Sequence, residues 1–149
     1  MKRSTLPPIL LLLLCGAAPS FGWEVLNEVP AVAQIGVPIE LQIRGWMESG
    51  DCYVSEGYSV LSAGNAAEVI LLVRKTNGWA DPCGGPGNIY EYTVEVSFFE
   101  VGPSTLTITQ RLDAPPLGGD TPIAQYEIEV QAALADEDTA WGALKAIYR

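Results

Sequence analysis

Between Trp23 and Gln131 the apolar residues of this chain recur at nearly every second position. A period of two puts successive side chains on opposite faces of an extended backbone, so such a segment can bury one face as a β-strand but offers no apolar stripe as a helix. Val37, Ile39, Leu41 and Ile43 share one face, with Glu40, Gln42 and Arg44 on the other. Tyr90, Tyr92, Val94, Val96 and Phe98 oppose Glu91, Thr93, Glu95 and Ser97 in the same way. Leu106 and Ile108 alternate with Thr105, Thr107 and Thr109, and Tyr126, Ile128 and Val130 alternate with Glu127 and Glu129. Three less regular segments, Trp23 to Val29, Tyr53 to Leu61 and Ala67 to Lys75, complete a set of about seven strands.

The run Val69 to Val73 is apolar without a break. Its β-branched content and its flanks, Gly64-Asn65 and Thr76-Asn77-Gly78, favour a strand over a helix, and a strand apolar on both faces belongs in a central, doubly covered position. Turn signals separate the strands at short intervals: Gly36, Ser49-Gly50-Asp51, Asn77-Gly78, Gly102-Pro103 and Gly118-Gly119-Asp120. With no amphipathic helix among them, these strands predict an all-β fold, an antiparallel β-sandwich rather than an α/β unit. The stretch from Phe99 to Ile108, in which Gly102 follows a short acidic turn and precedes an alternating strand, resembles the turn and penultimate strand of bacterial immunoglobulin-like domains. That resemblance implies an immunoglobulin-like sandwich. The Cys-Trp-Cys arrangement of antibody domains is not met, because Trp79 falls just before Cys83 instead of midway from Cys52.

Ahead of the strands, residues 1–22 join a basic start (Lys2, Arg3), an apolar run from Leu6 to Leu14 and the small-residue stretch Gly16 to Ser20. This is the pattern of a cleaved secretory signal peptide, and its apolar part is too short for a spanning helix. Small residues at Ala18 and Ser20, or at Ser20 and Gly22, place the mature start at Phe21 or Trp23. Cys15 raises the rival of a lipoprotein, but bulky Leu14 before it suits that cleavage poorly, and lipidation is the disfavoured alternative. The expected location is therefore secreted, periplasmic or at the cell surface. Residues 23–131 form the sandwich domain, and residues 132–149 an acidic linker followed by a short amphipathic tail.

Cleavage would remove Lys2 and Arg3 and no acid, so the net charge of −10 for the whole chain becomes −12, with 18 acidic side chains retained. Such a domain repels nucleic acid and anionic membrane surfaces. Cys52 and Cys83 remain as the mature cysteines, and in an oxidising compartment they are expected to pair as a disulfide.

Histidine is absent. That removes Ser-His-Asp and Cys-His catalysis and histidine-bearing zinc or copper sites. Gly84, Gly85 and Gly87 enclose Pro86 and lack the Lys-Ser/Thr ending of a phosphate-binding loop. Paired carboxylates, Glu91 with Glu95 and Glu127 with Glu129, fall on solvent faces, so no catalytic residue and no enzymatic activity is expected. No cofactor site is expected either. Calcium is the one ion whose chemistry suits the acidic clusters Glu48/Asp51, Asp113/Asp120 and Asp136-Glu137-Asp138, but their spacing matches no calcium loop.

What remains is interaction. The loop from Asn77 to Asn88 is long, rich in turn formers, tied down by Cys83, and displays Trp79. In the tail, Trp141, Leu144 and Tyr148 would form one stripe of a short helix capped by Asp138 or Thr139, and the same residues could equally belong to a disordered tail. Trp79, Trp141 and Tyr148 are the candidate interaction residues, and the expected partner is another exported protein or a cell-surface component. Two other functions stay open. The strand from Gly102 to Arg111 is similar to one preceding the last loop of chagasin-type inhibitors of cysteine peptidases, although Arg111-Leu112-Asp113 stands where that family has Arg-Pro-Trp, and its Thr-Thr-Gly loop is missing. A carbohydrate-binding module would need Tyr53, Tyr58, Tyr90 and Tyr92 exposed in a row.

Overall fold

The computed structural model describes residues 21–47, 51–77, 82–114 and 118–133. These residues form β-strands and no helix: β1 (Phe21–Val25), β2 (Val32–Gln34), β3 (Ile39–Met47), β4 (Tyr53–Ala63), β5 (Ala66–Lys75), β6 (Asn88–Val96), β7 (Gly102–Asp113) and β8 (Gly119–Gln131). One sheet runs β1-β3-β6 and the other β2-β8-β7-β5-β4. The all-β expectation holds; residues 1–20 of the proposed signal segment and the tail helix, with Trp141 and Tyr148, lie outside the described residues, while Phe21 and Gly22 belong to β1.

Strand number and pairing direction differ from expectation. Eight strands are present among the described residues, because the strand expected over Trp23 to Val29 ends at Val25 and a further short strand, β2, follows at Val32–Gln34. Trp23, Val25 and Val29 do keep the inward alternation. After Val25, however, the Asn27 side chain takes over the pairing with β3, accepting from the Gln42 amide at 2.7 Å and donating to the Glu40 carbonyl at 2.8 Å. The chain then crosses to the other sheet. There β2 runs parallel to the end of β8, bracketed by Glu129 N–H to the Ala31 carbonyl and Ile35 N–H to the Gln131 carbonyl, both 2.9 Å. Three residues are too few to carry a visible period.

The sandwich is also not wholly antiparallel, since β5 lies parallel to β7, with Val69 opposite Ile108 and Leu71 opposite Gln110. The β4–β5 hairpin turns at Gly64 (φ 56°), and the doubly apolar β5 takes the inner place while β4, carrying Ser55, Glu56, Ser59 and Ser62, takes the edge. A period of two specifies faces, not direction.

The two sheets meet over one core. Ile39, Leu41 and Ile43 of β3 with Val94 and Val96 of β6 pack against Val69, Leu71, Leu106, Ile108, Ile128 and Val130 of the other sheet, and Phe98 closes one end. Toward the other end an aromatic cluster links the sheets. Trp23 donates its indole N–H to Gln110 Oε1 at 2.8 Å and stacks on Tyr92, their ring centroids 6.3 Å apart. Tyr92 donates to Ser55 Oγ at 2.7 Å, and Tyr58, edge-on to Tyr92 at 5.5 Å, donates to the Thr93 carbonyl at 3.0 Å. Buried Gln110 thereby keeps a partner it could not lose cheaply.

The indole lies so flat on β3 that any Cβ at Gly45 would run into its six-membered ring. Gly45→Ala must therefore push Trp23 off both Gln110 and Tyr92. It is expected to cost about 2–3 kcal/mol in urea unfolding with the denaturant slope unchanged, and a cost under about 0.5 kcal/mol would contradict this packing.

Candidate binding end

The register places three connections at one end of the sandwich. Met47 lies opposite Asn88, Tyr53 opposite Lys75 and Leu112 opposite Gly119, so the β3–β4, β5–β6 and β7–β8 connections leave together. The expected disulfide joins two of them: Cys52 and Cys83 are bonded, with Cα atoms 5.4 Å apart. Cys52 is fully buried whereas Cys83 is exposed, so the bridge anchors a surface loop to the interior.

Asp51 reinforces the anchor. Its carboxylate accepts the Gly84 amide at 3.1 Å and its carbonyl accepts the Thr76 hydroxyl at 2.6 Å, while Thr76 N–H reaches the Cys52 carbonyl at 2.8 Å. Gly85 turns beneath the same carboxyl group at φ 88°, a conformation that favours glycine. Asp51, entertained above as a calcium ligand, thus serves the loop. Among the described residues no group of three or more acids or cysteines is placed to hold a metal ion. Trp79, the residue this loop was expected to display, lies outside the described residues.

Beside the β7–β8 connection opens a cleft of about 630 Å³. Leu72, Leu112 and Ala114 supply its apolar side, and Glu56, Arg111, Asp113 and Asp120 its charged side. Arg111 grips Asp120 with two bonds of 2.8 Å, which raises the guanidinium pKa and holds the carboxyl below the ordinary aspartate range. Arg74 is bonded to Glu56, which raises its pKa likewise. Asp113 and Asp120, an acidic pair in the sequence, are separated in function by the register: parallel pairing brings Arg74 opposite Asp113, and Arg111 claims Asp120.

The carboxylate pairs weighed for catalysis go elsewhere. Glu91 binds Arg44 at 2.9 Å, and Glu127 accepts from Gln125 at 3.1 Å. The four tyrosines make no exposed row, since Tyr58 and Tyr92 meet in the cluster between the sheets. A different ring is exposed: Trp46, at 46%, lies on the outer face of the three-stranded sheet with Gly22 on one side and Ile89, 67% exposed, on the other. Extending the alternation of β3 two residues past Arg44 would have found it.

Comparison of the chain with protein-family models, with curated proteins and with solved structures gives no match.

The bridge spans a sequence separation of 31. Replacing both cysteines by serine is expected to lower unfolding free energy by about 3–4 kcal/mol. Urea titration of the oxidised chain and the double variant measures it, and equal midpoints would mean that the bridge merely decorates the loop.

Proposed function

We propose that this chain is an exported, non-enzymatic module of immunoglobulin-like type that recognises another exported protein or a cell-surface component through its disulfide-anchored end. The observation that carries the reading is the Cys52–Cys83 bridge, which holds one long connection onto the buried end of its neighbour where three connections emerge together. Loops held by a rigid scaffold commonly carry recognition, and this loop is held by a covalent bridge. Export is supported by the signal-type residues 1–22 and by a bridge that persists only under oxidising conditions.

Strand order supports the immunoglobulin-like comparison in part. The β1-β3-β6 sheet and the β8-β7 pair follow the order of the corresponding immunoglobulin strands, and the parallel insertion of β5 next to β7 departs from it. The peptidase-inhibitor alternative has less support. Arg111 and Asp113 lie within β7, and Arg111 is committed to Asp120 instead of being presented on a loop.

Binding of the oxidised mature chain to the envelope fraction of its host tests the reading. Saturable binding is expected, weakened at least about tenfold by Trp79→Ala, as for an interface anchor, and unchanged by Phe99→Ala at the opposite end, where Phe99 is exposed. Dependence on Phe99 but not on Trp79, or a hydrolytic activity lost on replacing Glu91 and Glu95, would overturn it.

A further inference from the structure

The cleft at the anchored end carries a charge arrangement that selects among partners. Around it stand three carboxylates, Glu56, Asp113 and Asp120, and two guanidinium groups, Arg74 and Arg111. Arg111 turns Nε and one terminal nitrogen to Asp120, and Arg74 bonds through Nε to Glu56. Asp113 faces Arg74 in the register and its charge acts on that guanidinium through space, while the Arg74 hydrogen bond goes to Glu56. Three carboxylates against two guanidinium groups leave the rim one negative charge in excess, so a cationic ligand is favoured over an anionic one. The whole chain, at −10, biases the approach the same way. A small inorganic cation, however, has no use for the other wall, which Leu72, Leu112 and Ala114 make apolar.

We propose that this cleft takes a basic peptide segment of a partner protein, one large apolar side chain lying against Leu72 and Leu112 and a neighbouring lysine or arginine meeting Asp113. This inference rests on the interaction reading above and names the partner chemistry for the same end of the domain. A cleft of about 630 Å³ accommodates one or two such side chains and leaves the rest of the segment on the surface. The contact is of the steered kind, fast to form and sensitive to salt.

The test is a titration of the ¹⁵N-labelled, oxidised mature chain with a short lysine–leucine peptide and with its glutamate–leucine counterpart. Backbone amides of Leu72, Leu112, Ala114 and Gly119 are expected to shift with the basic peptide alone. Asp113→Lys, a change at an exposed position that leaves the remaining spectrum in place, is expected to weaken binding roughly tenfold. Equal binding of both peptides, no binding of either, or shifts centred on Trp46 and Ile89 would overturn the proposal. So would the same amides shifting in a Lys145→Gln, Arg149→Gln variant with no peptide added, since the chain's own basic segment would then be the occupant. Loss of the peptide effect with Trp79-dependent envelope binding retained removes this inference and leaves the interaction reading standing; loss of both removes both.

Discussion

Val69, Ile70 and Leu71 are consecutive residues of β5, each at most 2% exposed. Consecutive residues of a strand point to opposite faces, so a strand with this property fits only where both faces and both edges are covered. Leu71 and Val69 look into the core. Ile70 looks out, shielded by its own sheet: Ser59 and Thr109 flank it in register, and the Thr109 hydroxyl is tied to Glu68 at 2.9 Å. The place that satisfies β5 is inside the five-stranded sheet, between β4 and β7. Because its hairpin partner β4 goes to the edge, β5 meets β7 running the same way.

Much of the surface chemistry follows from that pairing. Were β4 next to β7, Arg74 would not face Asp113, and the cleft beside the β7–β8 connection would have a different charge. The parallel insertion also sets where β4 stands. From the sheet edge its Tyr58 and Ser55 reach β6 of the other sheet, closing that side of the sandwich through Thr93 and Tyr92. The cluster of Trp23, Tyr92 and Tyr58 is therefore the bond between sheets near the disulfide-anchored end, and Gly45 is the vacancy that lets Trp23 take part. Edges elsewhere are blunted: β4 is bulged near Glu56 and Gly57, and β8 carries Pro122 beside its own irregularity. Such features discourage strand addition by another chain.

A good part of this was legible in the chain itself. The alternation of β3 and β6 told which residues are buried, and the unbroken apolar run told that β5 is central, because both follow from side-chain direction alone. The cysteine pairing followed from there being no other partner beyond the expected signal segment. What was not legible depends on backbone hydrogen bonding, which leaves no period behind. The Asn27 side chain ending the pairing of β1, the three-residue β2 and the direction of β5 against β7 are all of that kind. The charged cleft was hidden for the same reason, since Arg74, Arg111, Asp113 and Asp120 become neighbours only through the register.

The direction of β5 against β7 is accordingly the point on which the account stands, and cross-strand NOEs between backbone amide and α protons measure it directly. A parallel ladder places Val69 beside Ile108 and Leu71 beside Gln110, residue numbers rising together on the two strands. Contacts that instead set β4 beside β7, with numbers rising on one strand as they fall on the other, would contradict the account and with it the charge arrangement of the cleft.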